Sequence, residues 1–163
     1  VEAFCGDVPR SDDLTLVVLQ AQPRILSFAY PAALAHLNEV TGLIRRATAP
    51  YGDDFAYQME LAASEIVTNV IEHSYRGASG EIRGQIDLTP DRVSIDVYDD
   101  GRPFDPQATS APPRGALREG GYGLLIAEEL TDELSYEPAS SSGNHWRLMK
   151  RIVEGVSDDV SDH

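Results

Sequence analysis

The sequence predicts an α+β protein, a two-layer α/β sandwich in which helices cover one face of a mixed, mostly antiparallel sheet. Three observations carry this expectation. Residues 32–47 and 53–75 repeat apolar side chains at three- and four-residue intervals, as helices with one buried face do. Residues 81–88 and 92–99 are β-prone runs separated only by Thr89, Pro90 and Asp91, the layout of an antiparallel hairpin. Residues 133–138 and 145–152 repeat that layout around a turn at 140–143.

In chain order, residues 22–30 read as a strand, and Pro31 as the first-turn proline of the helix that follows. That helix, 32–47, spaces Leu34, Leu37, Val40, Leu43 and Ile44 for one buried face. Residues 50–52 break it, and Asp53 or Asp54 is placed to cap the long helix running to about Tyr75. A turn at 76–80 leads into the hairpin. Residues 101–121 hold four prolines, four glycines and little periodicity; a loop that long inside a domain is functional or disordered. Residues 122–130 form a last helix before the closing strands, in which Tyr136 and Trp146 are expected in the core.

Composition narrows the function. The chain has 163 residues, is 42% hydrophobic and 25% charged, and fits one globular domain. A net charge of −14 argues against nucleic acid and against an anionic membrane surface. The single cysteine, Cys5, has no internal partner for a disulfide, which suggests a reducing compartment. No stretch has the length of a membrane span or the layout of a signal peptide, so the expected location is cytoplasmic. The domain is expected over 21–152, with an acidic tail at 153–163. The chain starts at Val1 rather than Met and is expected to be part of a longer polypeptide.

Polar residues interrupt the buried face of the long helix. Glu65, Asn69 and His73 stand at i, i+4 and i+8, one stripe on a regular helix. A carboxylate and a carboxamide one turn apart suit activation of a hydroxyl beside a hard cation, and an amide oxygen suits Mg²⁺, which takes its remaining ligands from phosphate and water. A solvated helix edge would carry the same residues. Later, the strand 94–99 runs into Asp99-Asp100-Gly101, where glycine tolerates the turn. Gly121 and Gly123 open the last helix, where free backbone amides can bind phosphate oxygens; close helix–sheet packing is the other explanation.

Four segments in order, SEIVTNVIEHSY, DDGRPFDP, GGYGLLIAEELTDEL and GNHWRLMK, resemble the N, G1, G2 and G3 boxes of the Bergerat-fold (GHKL) ATPases. The nearest subgroup is the anti-sigma factor serine/threonine kinases, and the resemblance covers roughly residues 22–152. It implies ATP and Mg²⁺ as cofactors. It makes Glu65 a general base, Asn69 the Mg²⁺ ligand, and His73 a phosphate-orienting or structural residue. Asp99 would accept from the adenine amine beside Gly101, with Gly121 and Gly123 at the phosphates. The loop would be a lid whose Arg118, or alternatively Arg114, touches the terminal phosphate through a guanidinium that matches it bidentately. Pro103 departs from the family pattern, standing where a second glycine is common, and puts the hinge of the lid in doubt.

The resemblance further implies phosphorylation of a STAS-domain anti-sigma factor antagonist and sequestration of an alternative sigma factor; a homodimer is one possible assembly, and the sequence does not fix the oligomeric state. Three rival readings are a non-catalytic nucleotide-binding module, a histidine-kinase-like ATPase domain, and a gyrase-like or chaperone ATPase, which would need a large transducer domain. Residues 6–20, with Asp12 and Asp13, resemble the last strand of PP2C-type sporulation phosphatase domains; an unrelated N-terminal arm is the alternative.

Overall fold

The computed structural model describes residues 24–103, 122–140 and 143–153. Residues 1–23, most of the 101–121 loop and the acidic tail fall outside the described residues, and with them Cys5, Asp12, Asp13, Arg114, Arg118 and Gly121. The elements are β1 (Arg24–Pro31), α1 (Leu37–Thr48), α2 (Asp53–Asn69), β2 (Glu81–Leu88), β3 (Arg92–Asp99), α3 (Gly123–Leu130), β4 (Glu133–Ser140) and β5 (Gly143–Arg151). Strands run in the order β1-β2-β3-β5-β4, and each neighbouring pair is antiparallel. The parallel component of the expected mixed sheet is therefore absent among the described strands.

Alternation sorts the sheet into two faces. Ile82, Ile86, Val93, Ile95, Val97, Trp146 and Leu148 point to the helices and are buried with Val40, Ile44, Met59, Ala62, Ile66, Val67, Val70 and Ala127. Each fully buried isoleucine or leucine contributes about 1.5–3 kcal/mol relative to exposure. The other face carries Arg83, Gln85, Ser94, Asp96, Tyr98, His145 and Arg147. There His145 Nε2 lies 2.7 Å from Asp96 Oδ1, and its ring stacks on Tyr98 at 4.5 Å.

Pro31 does not open a helix. It closes β1 opposite Glu81, because β1 is an edge strand and a residue without an N–H is tolerated there. A 3₁₀ turn, Leu34–His36, precedes α1; its tighter winding leaves Leu34 exposed at 55% rather than on the buried face. Neither Asp53 nor Asp54 caps α2. Gly52 occupies the cap position at φ +105°, and both aspartates lie in the first turn, where negative charge complements the helix dipole. Asn69 ends regular α-helix, and Val70–Tyr75 continue as a π-helix that stops at Arg76 in left-handed geometry. Such wide turns are rare and concentrate at functional sites. Here the wider turn buries Ser74 and Tyr75 and leaves Glu72 and His73 exposed.

Candidate nucleotide site

The end of β3 and the π-helical end of α2 meet. Gly101 sits so close to the helix that a Cβ there would lie 2.7 Å from Ser74 Cβ and 2.8 Å from its carbonyl carbon. The Arg102 N–H donates to Ser74 O at 3.0 Å. Tyr75 clamps the junction: its hydroxyl donates to Glu81 O at 2.7 Å and accepts from the Asp100 N–H at 3.0 Å. Burial holds this phenol above its ordinary pKa, against the pull of those backbone bonds, so it stays a donor. Asp100 itself is turned away, paired with Arg83 at 2.9 Å.

Asp99 is the polar centre of this junction. It is fully buried on the helix side of β3. Its Oδ1 accepts from the Gly101 N–H and from Asn144 Nδ2, each at 2.9 Å. Its Oδ2 is buried with no hydrogen-bond partner among the described residues. Desolvation pushes the carboxyl above its ordinary pKa, and the Asn144, Gly101 and Ser74 groups, which favour the charged form, offset part of that rise. A buried acceptor left open is costly unless something donates to it. An exocyclic amine held by a flat ring fits that need. The residues present therefore suit the purine of a nucleotide. A cavity of about 640 Å³ opens beside Asp100 and Gly101, walled by Ser74, Tyr75, Arg76 and Arg102. A groove of about 530 Å³ over Gly84 lies on the opposite face of the sheet.

Further along α2, Glu65 and Asn69 are half-buried and His73 is exposed. Glu65 meets the first turn of α3: a Cβ on Gly123 would fall 2.3 Å from Glu65 Oε2. The last helix thus approaches the carboxylate as closely as a bare Cα allows. Among the described residues, the side chains of Glu65, Asn69 and His73 have no hydrogen-bond partner. The structure brings Glu65 to Gly123, and Asp99 to Gly101 and Ser74, with Asn69 between them on α2. His73 stands apart from this line.

Asn144 carries more of the site than the sequence reading assigned to it. The sequence places Gly143-Asn144 at a turn before a strand, in the segment resembling the fourth box, without a role for Asn144, and sets Tyr136 aside as core. Yet Asn144 is fully buried opposite Asp99 in the sheet register, donates to it, and accepts from Tyr136 Oη at 3.1 Å. Gly143, at φ +90°, leaves no room for a Cβ, which would lie 2.5 Å from Asp99 O. The available signal was a Gly-Asn pair opening a strand directly after a turn, since a polar residue at an inward strand position needs partners.

Residues 30–150 match the histidine kinase-like ATPase domain family, and the chain belongs to it. The curated relatives include serine-protein kinase RsbW of Staphylococcus epidermidis, 30% identical over 131 residues, which cover 72% of this chain and 81% of the relative. Serine-protein kinase RsbW of Staphylococcus aureus is 29% identical over the same shares. Within that ATPase family, then, the chain belongs with the RsbW serine-protein kinases, the anti-sigma factor branch. Two solved structures share the fold. The RsbU and RsbW domains of Rv1364c from Mycobacterium tuberculosis align with TM-score 0.54 at 21% identity, covering 79% of this chain and 32% of that one. The histidine kinase domain of the Erythrobacter litoralis EL346 blue-light activated kinase aligns with TM-score 0.50 at 20% identity, covering 72% and 60%. No helix of the described residues is long and apolar enough to cross a membrane.

Proposed function

We propose that this chain is a Mg²⁺- and ATP-dependent protein serine/threonine kinase that phosphorylates a STAS-domain anti-sigma factor antagonist in the cytoplasm and sequesters an alternative sigma factor. The observation that carries the nucleotide reading is the buried, open Oδ2 of Asp99. An adenine amine donates to it, whereas the carbonyl oxygen of guanine at the same place would repel it. From Ser74 to Glu65 is nine residues, on the order of 10 Å along the helix axis, a span suited to an extended nucleoside triphosphate.

At the far end, Asn69 would hold Mg²⁺ through its amide oxygen, and the ion would supply positive charge to offset that of the phosphates. Glu65 takes the proton from the incoming serine or threonine hydroxyl, a contribution of about 10²–10⁴ in rate. Gly123 opens α3, whose first backbone N–H groups face the phosphates beside Gly121, while Arg118, or Arg114, reaches the terminal phosphate from the loop. His73, exposed, is assigned to phosphate orientation.

Calorimetric titration with Mg-ATP and Mg-GTP, followed by incubation with STAS-domain proteins of the same genome and phosphopeptide mapping, tests this. The expected result is ATP-selective binding and phosphate on one serine or threonine. Tight ATP binding without transfer to any antagonist would leave the non-catalytic module as the function.

A further inference from the structure

We propose that Tyr136 is a positioning residue of the purine pocket, acting on Asp99 through the side-chain amide of Asn144. This rests on the reading of Asp99 as the purine acceptor. The relay crosses three strands: Tyr136 in β4, Asn144 in β5 and Asp99 in β3, neighbours in the sheet. Tyr136 Oη donates to Asn144 Oδ1 at 3.1 Å, and Asn144 Nδ2 donates to Asp99 Oδ1 at 2.9 Å. The same Nδ2 also reaches Gly101 O at 3.1 Å and Arg102 O at 3.4 Å.

An amide has two ends of opposite polarity. Turned over, Asn144 would set a carbonyl oxygen against the Asp99 carboxylate and withdraw its donor from the Gly101 turn. The Tyr136 hydroxyl satisfies the carbonyl end and polarises the amide toward Asp99. The tyrosine ring is itself held, half-buried and packed on Trp146 with centroids 4.5 Å apart, so β4 sets where the hydroxyl points. With Asn144 and Gly101 both on Oδ1, the carboxylate is locked in one rotation and presents Oδ2 to the ligand. The edge strand thereby sets the direction of an acceptor two strands away.

The test is Tyr136→Phe, which keeps the ring and its packing. In the nucleotide-free protein, the Asp99 carboxyl titration followed by ¹³C NMR should move to higher pH, because its Asn144 donor is loosened. ATP affinity should fall by between about twofold and tenfold, the usual worth of one neutral hydrogen bond. A double-mutant cycle distinguishes positioning from general stability: in the Asp99→Asn background, Tyr136→Phe should change ATP affinity no further. An equal loss in both backgrounds, or an unmoved Asp99 titration, overturns the relay. If Tyr136→Phe does not fold, Asn144→Ala removes the middle link and must raise the Asp99 titration too; an unchanged one overturns the relay equally. Should the parent bind no ATP, the purine reading falls by itself, while the titration of Asp99 still decides the relay.

Discussion

The two ends of the proposed site are built differently. At the Asp99 end, three strands and the π-helical end of α2 converge, and Gly101, Asn144, Ser74 and Tyr75 fix one another through buried bonds. At the Glu65 end, the side chains of Glu65, Asn69 and His73 have no hydrogen-bond partner among the described residues, and Gly123 approaches the Glu65 carboxylate closely. The first end is preorganised and leaves a single acceptor open. The second is a set of half-buried and exposed polar groups that the proposed reading assigns to the metal, the hydroxyl and the phosphates. Binding specificity should therefore reside at the Asp99 end and turnover at the Glu65 end, and substitutions should separate the two.

The sharpest separation is expected from Glu65→Gln. The glutamine keeps the shape against Gly123 but cannot take the hydroxyl proton, so phosphotransfer to an antagonist should fall at least about a hundredfold while ATP affinity holds. Single-turnover transfer beside calorimetry measures both. Parental transfer by this variant would make Glu65 a structural carboxylate. Asn69→Ala, one turn on, should instead remove the Mg²⁺ dependence of ATP binding.

At the other end, Asp99→Asn should weaken ATP by about 1.5–3 kcal/mol, roughly tenfold or more, as a charged acceptor becomes an amide that can present its donor side. Transfer at saturating ATP should change far less than with Glu65→Gln. If Asp99→Asn instead abolished turnover and spared affinity, the division of labour between the two ends would be reversed.

The two ends were also unequally legible in the sequence. The Glu65-Asn69 pair could be read from helical spacing alone, because α2 is regular through Asn69 and periodicity translates into geometry. His73 lies past that regular stretch, in the π-helix, and is exposed, so helical spacing alone does not fix its place. Asp99 and Gly101 stood out as a strand end and a turn, yet their partner Asn144 is 45 residues away, and no local pattern reveals a bond across strands. The hairpin Glu81–Leu88 and Arg92–Asp99 matched to the residue, because alternation and a short turn fix its register. Pro31 went astray because whether a proline ends a strand or begins a helix depends on that strand lying at the sheet edge, a long-range fact.

Gly123 tests whether the open end is as open as it looks. A methyl there would meet Glu65 Oε2 at 2.3 Å, and that atom is the free end of a flexible side chain. Gly123→Ala should therefore displace the carboxylate rather than the backbone. Turnover should drop on the order of tenfold, the scale of a misplacement smaller than an ångström or so, with ATP affinity near parental. A matched fall in affinity would mean that Gly123 serves phosphate binding directly through its missing side chain.

The last expected effect is a dependence on protons, and it bears on the Asp99 end alone. Desolvation raises the pKa of Asp99 in the folded protein above the unfolded value, despite the donors on Oδ1. The native state then holds this proton more tightly. The group's contribution to stability is favourable below the unfolded value, and it is lost as pH rises through the window up to the folded one. ATP binding runs the opposite way, because the adenine amine needs the unprotonated oxygen. Affinity should be about half its maximum when the pH equals the Asp99 pKa of the free protein and level off above it, if binding requires the carboxylate. Adenine protonation adds its own acid limb, so the measurement is a difference: the parent's affinity profile from calorimetry minus that of Asp99→Asn. The difference should titrate at the pKa that ¹³C NMR assigns to Asp99. A difference that stays constant across that range would show that the purine does not depend on the ionised carboxylate, and the contrast between the two ends would then rest on Glu65 alone.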